Sequence, residues 1–186
     1  ANLTSFTFAA NSKLESISAY MFDGCDNLQN ITFEEGSALT SIQAHGLEGM
    51  RKLSSVDFGD AKITNIDNFA FRFCESLTRI DIPESVLSIG RYAFYYCTSL
   101  SEISIPASVE FIGRFAFLGT KNLSVYFASE TLPAYLQEDW DYGTAGYYLG
   151  VTDVITDGDW KYAKLTSGDI AIIKYNATET NIDLTA

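Results

Sequence analysis

Residues 77–97 read LTRIDIPESVLSIGRYAFYYC, and residues 100–120 read LSEISIPASVEFIGRFAFLGT, 23 residues further along the chain. Both stretches place apolar residues, a proline, an Ile-Gly pair and an Ala-Phe pair at the same positions. A sequence that repeats itself in this way is typical of a stack of equivalent units, each of which buries its apolar face against the next.

An opening leucine marks each unit along most of the chain. Six leucines take this position, with spacings of 25, 25, 24, 23 and 23 residues: Leu3, Leu28, Leu53, Leu77, Leu100 and Leu123. Further apolar residues stand three and five positions after each leucine, as in Ile80 and Ile82, which is the alternation of a half-buried strand. A period of about 20–29 residues with this start is the signature of leucine-rich repeats.

These features predict a β-rich leucine-rich repeat solenoid. We expect short parallel strands to stack into one sheet, because each coil needs a neighbour to bury its apolar side chains. Pro83 and Pro106 end their strands by removing a backbone donor, and Gly90 and Gly113 permit a tight bend. On the side opposite the sheet, segments such as 91–96 are predicted to form short helical or 3₁₀ turns.

The chain is predicted to divide into three parts. Residues 1–128 form the solenoid, with about five full units and a truncated sixth. Residues 129–150 form a C-terminal cap, and residues 151–186 form a β-hairpin segment that opens a second repeat array. On this interpretation the natural chain continues beyond Ala186.

The cap and the hairpin have their own local signals. Thr131 is placed to cap a short helix over residues 132–140, whose apolar side chains form a lid on the last coil: Leu132, Tyr135, Leu136 and Trp140. Trp160–Leu165 and Ile170–Tyr175, joined by a Thr-Ser-Gly turn, predict a β-hairpin. Residues 181–184 are interpreted as a further strand.

The stretches SVLSIGRYAFYYCTSL and SVEFIGRFAFLGTKNL resemble the BspA-like leucine-rich repeats, whose pattern is P-x-S-V-x-x-I-G-x-x-A-F-x-x-C. The resemblance covers about residues 3–127 and is strongest in the last two full units. Earlier units depart from the pattern at Met21, which replaces the alanine, and at Gly46, Leu47 and Met50. The resemblance implies a cell-surface or secreted protein, bacterial or protozoan, that is used in adhesion or host contact.

Composition excludes some partners. The net charge is −12 and the pI is near 4.3, whereas nucleic acids and anionic membranes require clustered lysine and arginine. The sequence holds no run of 18 apolar residues, so no membrane-spanning segment is predicted. No cofactor is predicted either.

The three cysteines, Cys25, Cys74 and Cys97, share one position of the repeat. A metal site or a nucleophile would use such thiols, but a small buried hydrophobe in a ladder explains them more simply. Asp153, Asp157 and Asp159 do not match an EF-hand loop, and a turn before the hairpin accounts for them without calcium.

His45 is the only histidine of the chain. It aligns with a column of aromatic residues, Tyr20, Phe69, Tyr92 and Phe115, so we interpret it as a flat ring that stacks on its neighbours. Catalysis would require a nucleophile and an acid held beside it, and zinc binding would require further ligands.

Two surfaces are candidates for binding. On the exposed face of the sheet, Arg79 is flanked by Asp57 and Asp81 on adjacent strands, with Glu102 one coil further on. This face is either a ligand surface or a solvated one. The second candidate is the flank that carries the aromatic column, where Tyr92, Tyr95, Tyr96 and His45 lie. Three tyrosines within five residues are difficult to bury together, and an exposed aromatic patch marks an interaction site.

The leading functional hypothesis is a non-catalytic scaffold that binds a protein ligand, such as a host or matrix protein. One alternative is a structural spacer that carries another module, and a second is carbohydrate binding through the aromatic flank. Exposed aromatic residues favour binding, and a uniformly polar surface favours the spacer. An enzyme would need a pocket that joins His45 or a cysteine to an acid.

Overall fold

A computed structural model describes residues 2–142, 144–157 and 160–175. Within these ranges the chain forms fifteen strands and no helix. We number the coils by their opening leucines, so that coil one begins at Leu3, coil four at Leu77 and coil six at Leu123. The chain is a solenoid of stacked parallel strands followed by an antiparallel sheet, as the repeat pattern predicts.

The first sheet is parallel and carries the exposed face named above. Its strands are β1 (Ser5–Phe8), β3 (Asn30–Phe33), β5 (Ser55–Asp57), β8 (Glu102–Ile105), β10 (Leu123–Phe127) and β12 (Thr144–Tyr148). The sheet is interrupted at coil four, where residues 79–82 form no strand and pair only through a bridge between Asp81 and Ser104.

A change in loop length accompanies this interruption. Within each coil, a loop joins the strand of the first sheet to the strand of the second sheet. Counted from the last core residue of the first strand to the core isoleucine of the second, this connection is nine residues in coil two, eight in coil three and seven in coil four. Coil four is also the first to place a proline, Pro83, directly after the strand, which removes a backbone donor. We attribute the open seam between coils three and four to this change.

A second parallel sheet runs along the next side of the solenoid, in addition to the one that the sequence predicts. It consists of six two-residue strands: β2 (Ser16–Ile17), β4 (Ser41–Ile42), β6 (Asn65–Ile66), β7 (Ser88–Ile89), β9 (Phe111–Ile112) and β11 (Tyr135–Leu136). These strands pair in register, for example Ile89 with Ile112, so equivalent isoleucines form a buried ladder.

The third side of the solenoid consists of turns, and not of the helical or 3₁₀ turns expected at residues 91–96. Tyr92 and Tyr96 have φ angles of +54° and +56°, so the backbone cannot continue as a right-handed helix. The turns of adjacent coils are instead joined by backbone hydrogen bonds. In coil four the N–H groups of Tyr92, Phe94 and Tyr96 donate to the carbonyls of Arg114, Ala116 and Leu118 at 3.2, 2.8 and 2.8 Å.

The core is one continuous cluster that extends from Ile17 to Trp140. Its centre is a stack of parallel phenylalanine rings, in which Phe94 lies 5.1 Å from Phe71 and 5.7 Å from Phe117 between centroids. Each buried phenylalanine of this stack stabilises the fold by about 1.5–3 kcal/mol relative to exposure. Trp140 closes the stack, because its ring meets the Phe117 ring edge-on at 6.2 Å.

The cap is a sixth, irregular coil, and the predicted helix over residues 132–140 is wrong. β11 pairs with β9, and Asp139 has the left-handed conformation of the equivalent aromatic residues in earlier coils. Hydrogen bonding to coil five therefore determines the backbone here, and it overrides the local helix signal. Of the predicted lid residues, Trp140 is buried, Leu132 and Leu136 pack against the core, and Tyr135 is 67% exposed.

The last described part of the chain is a three-stranded antiparallel sheet. β13 (Val151–Asp157) pairs with β14 (Trp160–Leu165), which pairs with β15 (Ile170–Tyr175). The hairpin that the sequence predicts corresponds to β14 and β15. The strand expected over residues 181–184 lies outside the described residues, as does Asp159.

Candidate binding surfaces

Arg79 stands on the exposed face of the first sheet. Its side chain is 78% exposed, and its Nε and Nη2 atoms donate to one carboxylate oxygen of Asp81 at 3.1 and 3.0 Å. Asp57, on the strand across the seam, is also exposed. The three residues therefore lie on one face, and Arg79 is oriented by Asp81, two residues further along the chain.

Three adjoining clefts meet at Arg79 and Asp81, and we call them together the seam cleft. The first, of about 560 Å³, lies between coils three and four and is lined by residues 55–59 and 79–84. The second and third, of about 420 and 240 Å³, continue towards the C-terminal sheet, whose residues 151–154 form part of the second cleft. The exposed face is therefore neither flat nor uniform, because the open seam and the C-terminal sheet give it relief.

The C-terminal sheet rests on the outer face of coils five and six. Tyr126 of β10 points away from the core, yet it is only 2% exposed because it packs with Val151 and Ala163. Beside it, Lys161 forms an ion pair with Glu102. Glu102, a candidate residue of the exposed face, lines the third cleft, and its charge is paired by Lys161 at the edge of the C-terminal sheet.

The Tyr126 hydroxyl has no hydrogen-bond partner of good geometry within the described residues. Burial raises the pKa of this phenol, and the Ser124 side chain opposes the change in part. Tyr126 also lines the second and third clefts. This hydroxyl is buried beneath the point where the seam cleft meets the C-terminal sheet.

On the turn side, the aromatic column forms a continuous stack. Ring centroids are separated by 5.4 Å for Tyr20 and His45, 4.9 Å for His45 and Phe69, and 5.3 Å for Phe69 and Tyr92. His45 thus stacks between its neighbours, as its column predicts. Its Nδ1 atom also pairs with Glu48.

A second aromatic group lies beside this stack, and we call it the tyrosine patch: Phe73, Tyr92, Tyr95 and Tyr96. The rings contact one another, with centroids 5.5 Å apart for Tyr92 and Tyr95 and 4.6 Å apart for Tyr95 and Tyr96. Tyr92 and Tyr95 are half-buried, whereas Tyr96 is 44% exposed. The three tyrosines are therefore brought together, and Tyr96 is the most exposed of them.

Arginines accompany these rings, which the sequence analysis did not anticipate. The guanidinium carbon of Arg72 lies 4.6 Å from the Phe73 centroid and 5.5 Å from the Tyr95 centroid, and its Nη1 atom pairs with Glu48 at 3.0 Å. Arg91 and Arg114 lie over the rings that follow them in sequence, Tyr92 and Phe115. The available signal was the Arg-aromatic dipeptide, which occurs at the same repeat position in coils four and five.

The cysteines occupy a core ladder, as interpreted from their shared position. Cys74 and Cys97 are fully buried, and their Sγ atoms donate to the carbonyls of Leu47 and Phe71 at 3.2 Å. Burial raises the pKa of both thiols, so neither supplies a thiolate at neutral pH. Cys25 is partly exposed, and all three are free thiols.

In the ranges that the structure describes, no group of three or more histidine, cysteine or acidic residues is arranged to hold a metal ion. The same ranges contain no helix long and apolar enough to cross a membrane.

The stacked parallel coils, the in-register isoleucine ladder and the clefted sheet face define a leucine-rich repeat protein. Residues 1–124 match, over six copies, the family described as BspA type Leucine rich repeat region. The chain therefore belongs to this family. Proteins of this kind are repeat scaffolds and are generally non-catalytic. No curated protein matches the chain.

Solved structures of three bacterial proteins share the fold. A leucine-rich repeat protein of T. pallidum is 28% identical with a TM-score of 0.62, over 68% of this chain and 59% of that one. A leucine-rich repeat protein from Bacteroides ovatus is 26% identical with a TM-score of 0.58, over 72% of this chain and 34% of that one.

The third structure is a leucine rich cell surface protein from Faecalibacterium prausnitzii, which is 16% identical. Its TM-score is 0.55, and the match covers 95% of this chain and 55% of that one. At this identity the likeness shows the fold alone. The chain thus spans between about a third and three fifths of the length of the solved proteins that it matches.

Proposed function

We propose that this protein is a non-catalytic scaffold that binds a protein ligand in the seam cleft. The observation that carries the proposal is that three clefts meet at one oriented arginine, Arg79, on the exposed sheet face. Arginine is one of the residues that most often supply binding energy at protein interfaces. Asp81 holds the guanidinium in place, which lowers the entropy lost when a ligand binds.

The relief of this face favours binding over the spacer alternative. A spacer needs only a solvated outer surface, whereas the seam cleft is lined by Arg79 and Asp81 and, in its second part, by residues 151–154 of the C-terminal sheet. The first cleft alone has a volume of about 560 Å³.

Carbohydrate binding through the aromatic flank is less well supported. Sugars are usually held against the open face of a ring, and the rings of the aromatic column use their faces on one another. Tyr92 presents its edge to solvent, since its faces meet Phe69 and Phe115. A protein ligand, which makes varied contacts with ring edges and hydroxyl groups, suits this surface better.

We further propose that the protein acts at the cell surface or after secretion, in adhesion to a host or matrix protein. Support comes from the family, whose members are typically surface or secreted bacterial proteins. Protease treatment of intact cells of the organism that produces the protein tests this location. Loss of the protein from intact cells is expected, and protection until lysis would contradict it.

Peptide selection tests the binding site. A phage-displayed random peptide library is selected on the immobilised protein, and the affinity of each clone is measured by calorimetry. Clones that occupy the seam cleft should lose about tenfold or more in affinity on Arg79→Glu, because the charge at the centre of the site is reversed. Arg51→Glu is the matched control, since Arg51 is an exposed, carboxylate-paired arginine on another side. Selection that yields no clone dependent on Arg79 would contradict the proposal.

A further inference from the structure

We infer that the tyrosine patch and the adjacent Arg91 form a second docking surface, for an extended protein segment that carries a carboxylate and an apolar residue. This surface lies on the turn side and is separate from the seam cleft. Three features distinguish it: an unusual backbone conformation, a cluster of arginines, and the guanidinium of Arg91, which has no ion pair among the described residues.

One column of the repeat has an unusual backbone conformation. Five equivalent residues of coils one to five all have positive φ angles: Gly24, Gly49, Phe73, Tyr96 and Gly119. Glycine adopts this conformation without cost, whereas a bulky residue is strained in it. Coils three and four therefore have backbone strain at Phe73 and Tyr96, whereas glycine removes it at the equivalent positions of the other coils.

Core packing does not explain this strain at Tyr96. The ring is 44% exposed and lies outside the buried cluster. Its position is made possible by the next coil, because a Cβ at Gly119 would come within 2.5 Å of the Tyr96 ring. Strained residues that persist without a packing reason are enriched at functional sites. In the other aromatic column the rings from Tyr20 to Tyr92 stack face to face, whereas Phe73 and Tyr96 meet edge-on at 5.8 Å.

The arginine distribution supplies the second observation. The protein is strongly acidic, yet four of its five arginines lie on this flank: Arg51, Arg72, Arg91 and Arg114. Each guanidinium lies within 6.0 Å of an aromatic centroid. Tyrosine and arginine are both enriched in the hot spots of protein interfaces.

Charge pairing then distinguishes Arg91 from the others. Arg51, Arg72 and Arg114 each pair with a carboxylate, from Glu75, Glu48 and Asp139 respectively. The guanidinium of Arg91 has no ion pair among the described residues. It lines a depression of about 340 Å³ with Arg114, Gln137 and Glu138. Because a guanidinium binds a carboxylate through two parallel hydrogen bonds, one ligand carboxylate fits here.

Arg91 and the tyrosine patch are continuous. The guanidinium carbon of Arg91 lies 5.7 Å from the Tyr92 centroid, and Tyr92 contacts Tyr95, which contacts Tyr96. The surface therefore offers a cation at one end and an exposed ring at the other. They are linked through successive contacts of 5.7, 5.5 and 4.6 Å, a span that a short extended segment can cover. This is the basis for expecting one carboxylate and one apolar residue in the same segment.

The test uses the whole protein and two arrays of short synthetic peptides. In the first array a glutamate and a leucine stand at varied separations, and in the second array glutamine replaces the glutamate. Binding to the glutamate array is expected, with about tenfold weaker affinity for Arg91→Ala, because a charge-assisted pair is lost. Tyr96→Gly is expected to weaken binding to a similar extent. That variant should fold, since glycine occupies the same position in three other coils.

Lys121→Ala is the matched control, because Lys121 is an exposed cation that is not one of the residues of the proposed surface. Equal binding to the two arrays, or full affinity of Arg91→Ala, would overturn the inference. So would binding of a sulfated glycan that depends on Arg91 while the peptides fail to bind. Arg79→Glu should leave this binding unchanged, which separates the result from that of the seam cleft.

Discussion

A Cβ atom at Gly113 would lie 2.4 Å from the backbone nitrogen of Arg91 in the preceding coil. Gly113 does not have a positive φ angle, so its role is not the tight bend that the sequence suggests. Glycine is required because two coils approach each other closely at this point. Gly90 has the same relationship to Asn68, at 2.5 Å.

Gly113→Ala is therefore expected to destabilise the protein by about 1–3 kcal/mol, since the new methyl group must push two backbones apart. The free energy of unfolding in urea measures this effect. Gln43→Ala is the control, because Gln43 occupies the same repeat position in coil two and is exposed. A loss no larger than that of the control would show that the coils can separate without cost.

Tyr96→Gly should change the free energy of unfolding by less than about 1 kcal/mol. Release of left-handed strain, worth about 1–2 kcal/mol, offsets the contacts that the ring loses. Phe94→Ala, two residues earlier in the buried stack, should cost about 3–5 kcal/mol. Thermal or urea unfolding of both variants makes the comparison. Similar losses for the two would mean that Tyr96 is a packing residue.

Asp67 gives the protein a specific pH dependence. Burial raises the pKa of this carboxyl above its usual 3.8, and a backbone hydrogen bond from Ala44 opposes the change in part. The folded state thus holds the proton more tightly than the unfolded state, so this residue lowers stability as the pH rises through its raised pKa. Asp67→Asn should be more stable than the parent protein at neutral pH and equal to it below pH 3.8. A constant difference across this range would contradict the assignment.

Lys161→Ala should loosen the C-terminal sheet, because the ion pair with Glu102 joins it to coil five. The expected loss is small, up to about 1 kcal/mol, since both side chains are partly exposed. Hydrogen exchange should become faster in Val151–Asp157 and stay unchanged in the solenoid. Lys164→Ala on the same strand is the control, and an equal effect from it would point to strand propensity instead.

Thiol labelling tests the cysteine ladder. In the folded protein Cys25 should react with iodoacetamide, whereas Cys74 and Cys97 should react only after unfolding, because burial raises the pKa of both thiols. Mass spectrometry of the labelled peptides measures the three rates separately. Rapid labelling of Cys97 under native conditions would show that the ladder opens locally.

Much of the fold follows from sequence because one coil is repeated. The buried positions, the first sheet, the hairpin at β14 and β15 and the stacking of His45 all depend on a period that the chain displays several times. The predicted helix over 132–140 fails for the opposite reason. Its local signals are genuine, but hydrogen bonds to coil five decide the backbone, and no single-segment pattern shows them.

In the candidate sites, too, some features follow from the sequence pattern and others depend on contacts between distant segments. Arg79, Asp57 and Asp81 share a face because they occupy outward positions of the repeat, which the period of the sequence shows even though residues 79–82 form no regular strand. The seam beside them depends on a loop-length change whose effect appears only when the coils are stacked. Glu102 is paired by Lys161, 59 residues later in sequence, and such a contact carries no local signal.

The hydrogen bonds between the aromatic turns run in one direction. In residues 20–25 and their equivalents in later coils, an N–H group of one coil donates to a carbonyl of the next, as from Tyr20 to His45 and from Phe115 to Asp139, whereas just after these turns Ser76 and Ser99 donate back to the preceding coil. The aromatic turns are thus electrically polar along the stack, with oxygen atoms facing the first coil and N–H groups facing the last. Two copies that met on this side by the same end would bring like groups together, and a head-to-tail contact is the one that would continue these hydrogen bonds.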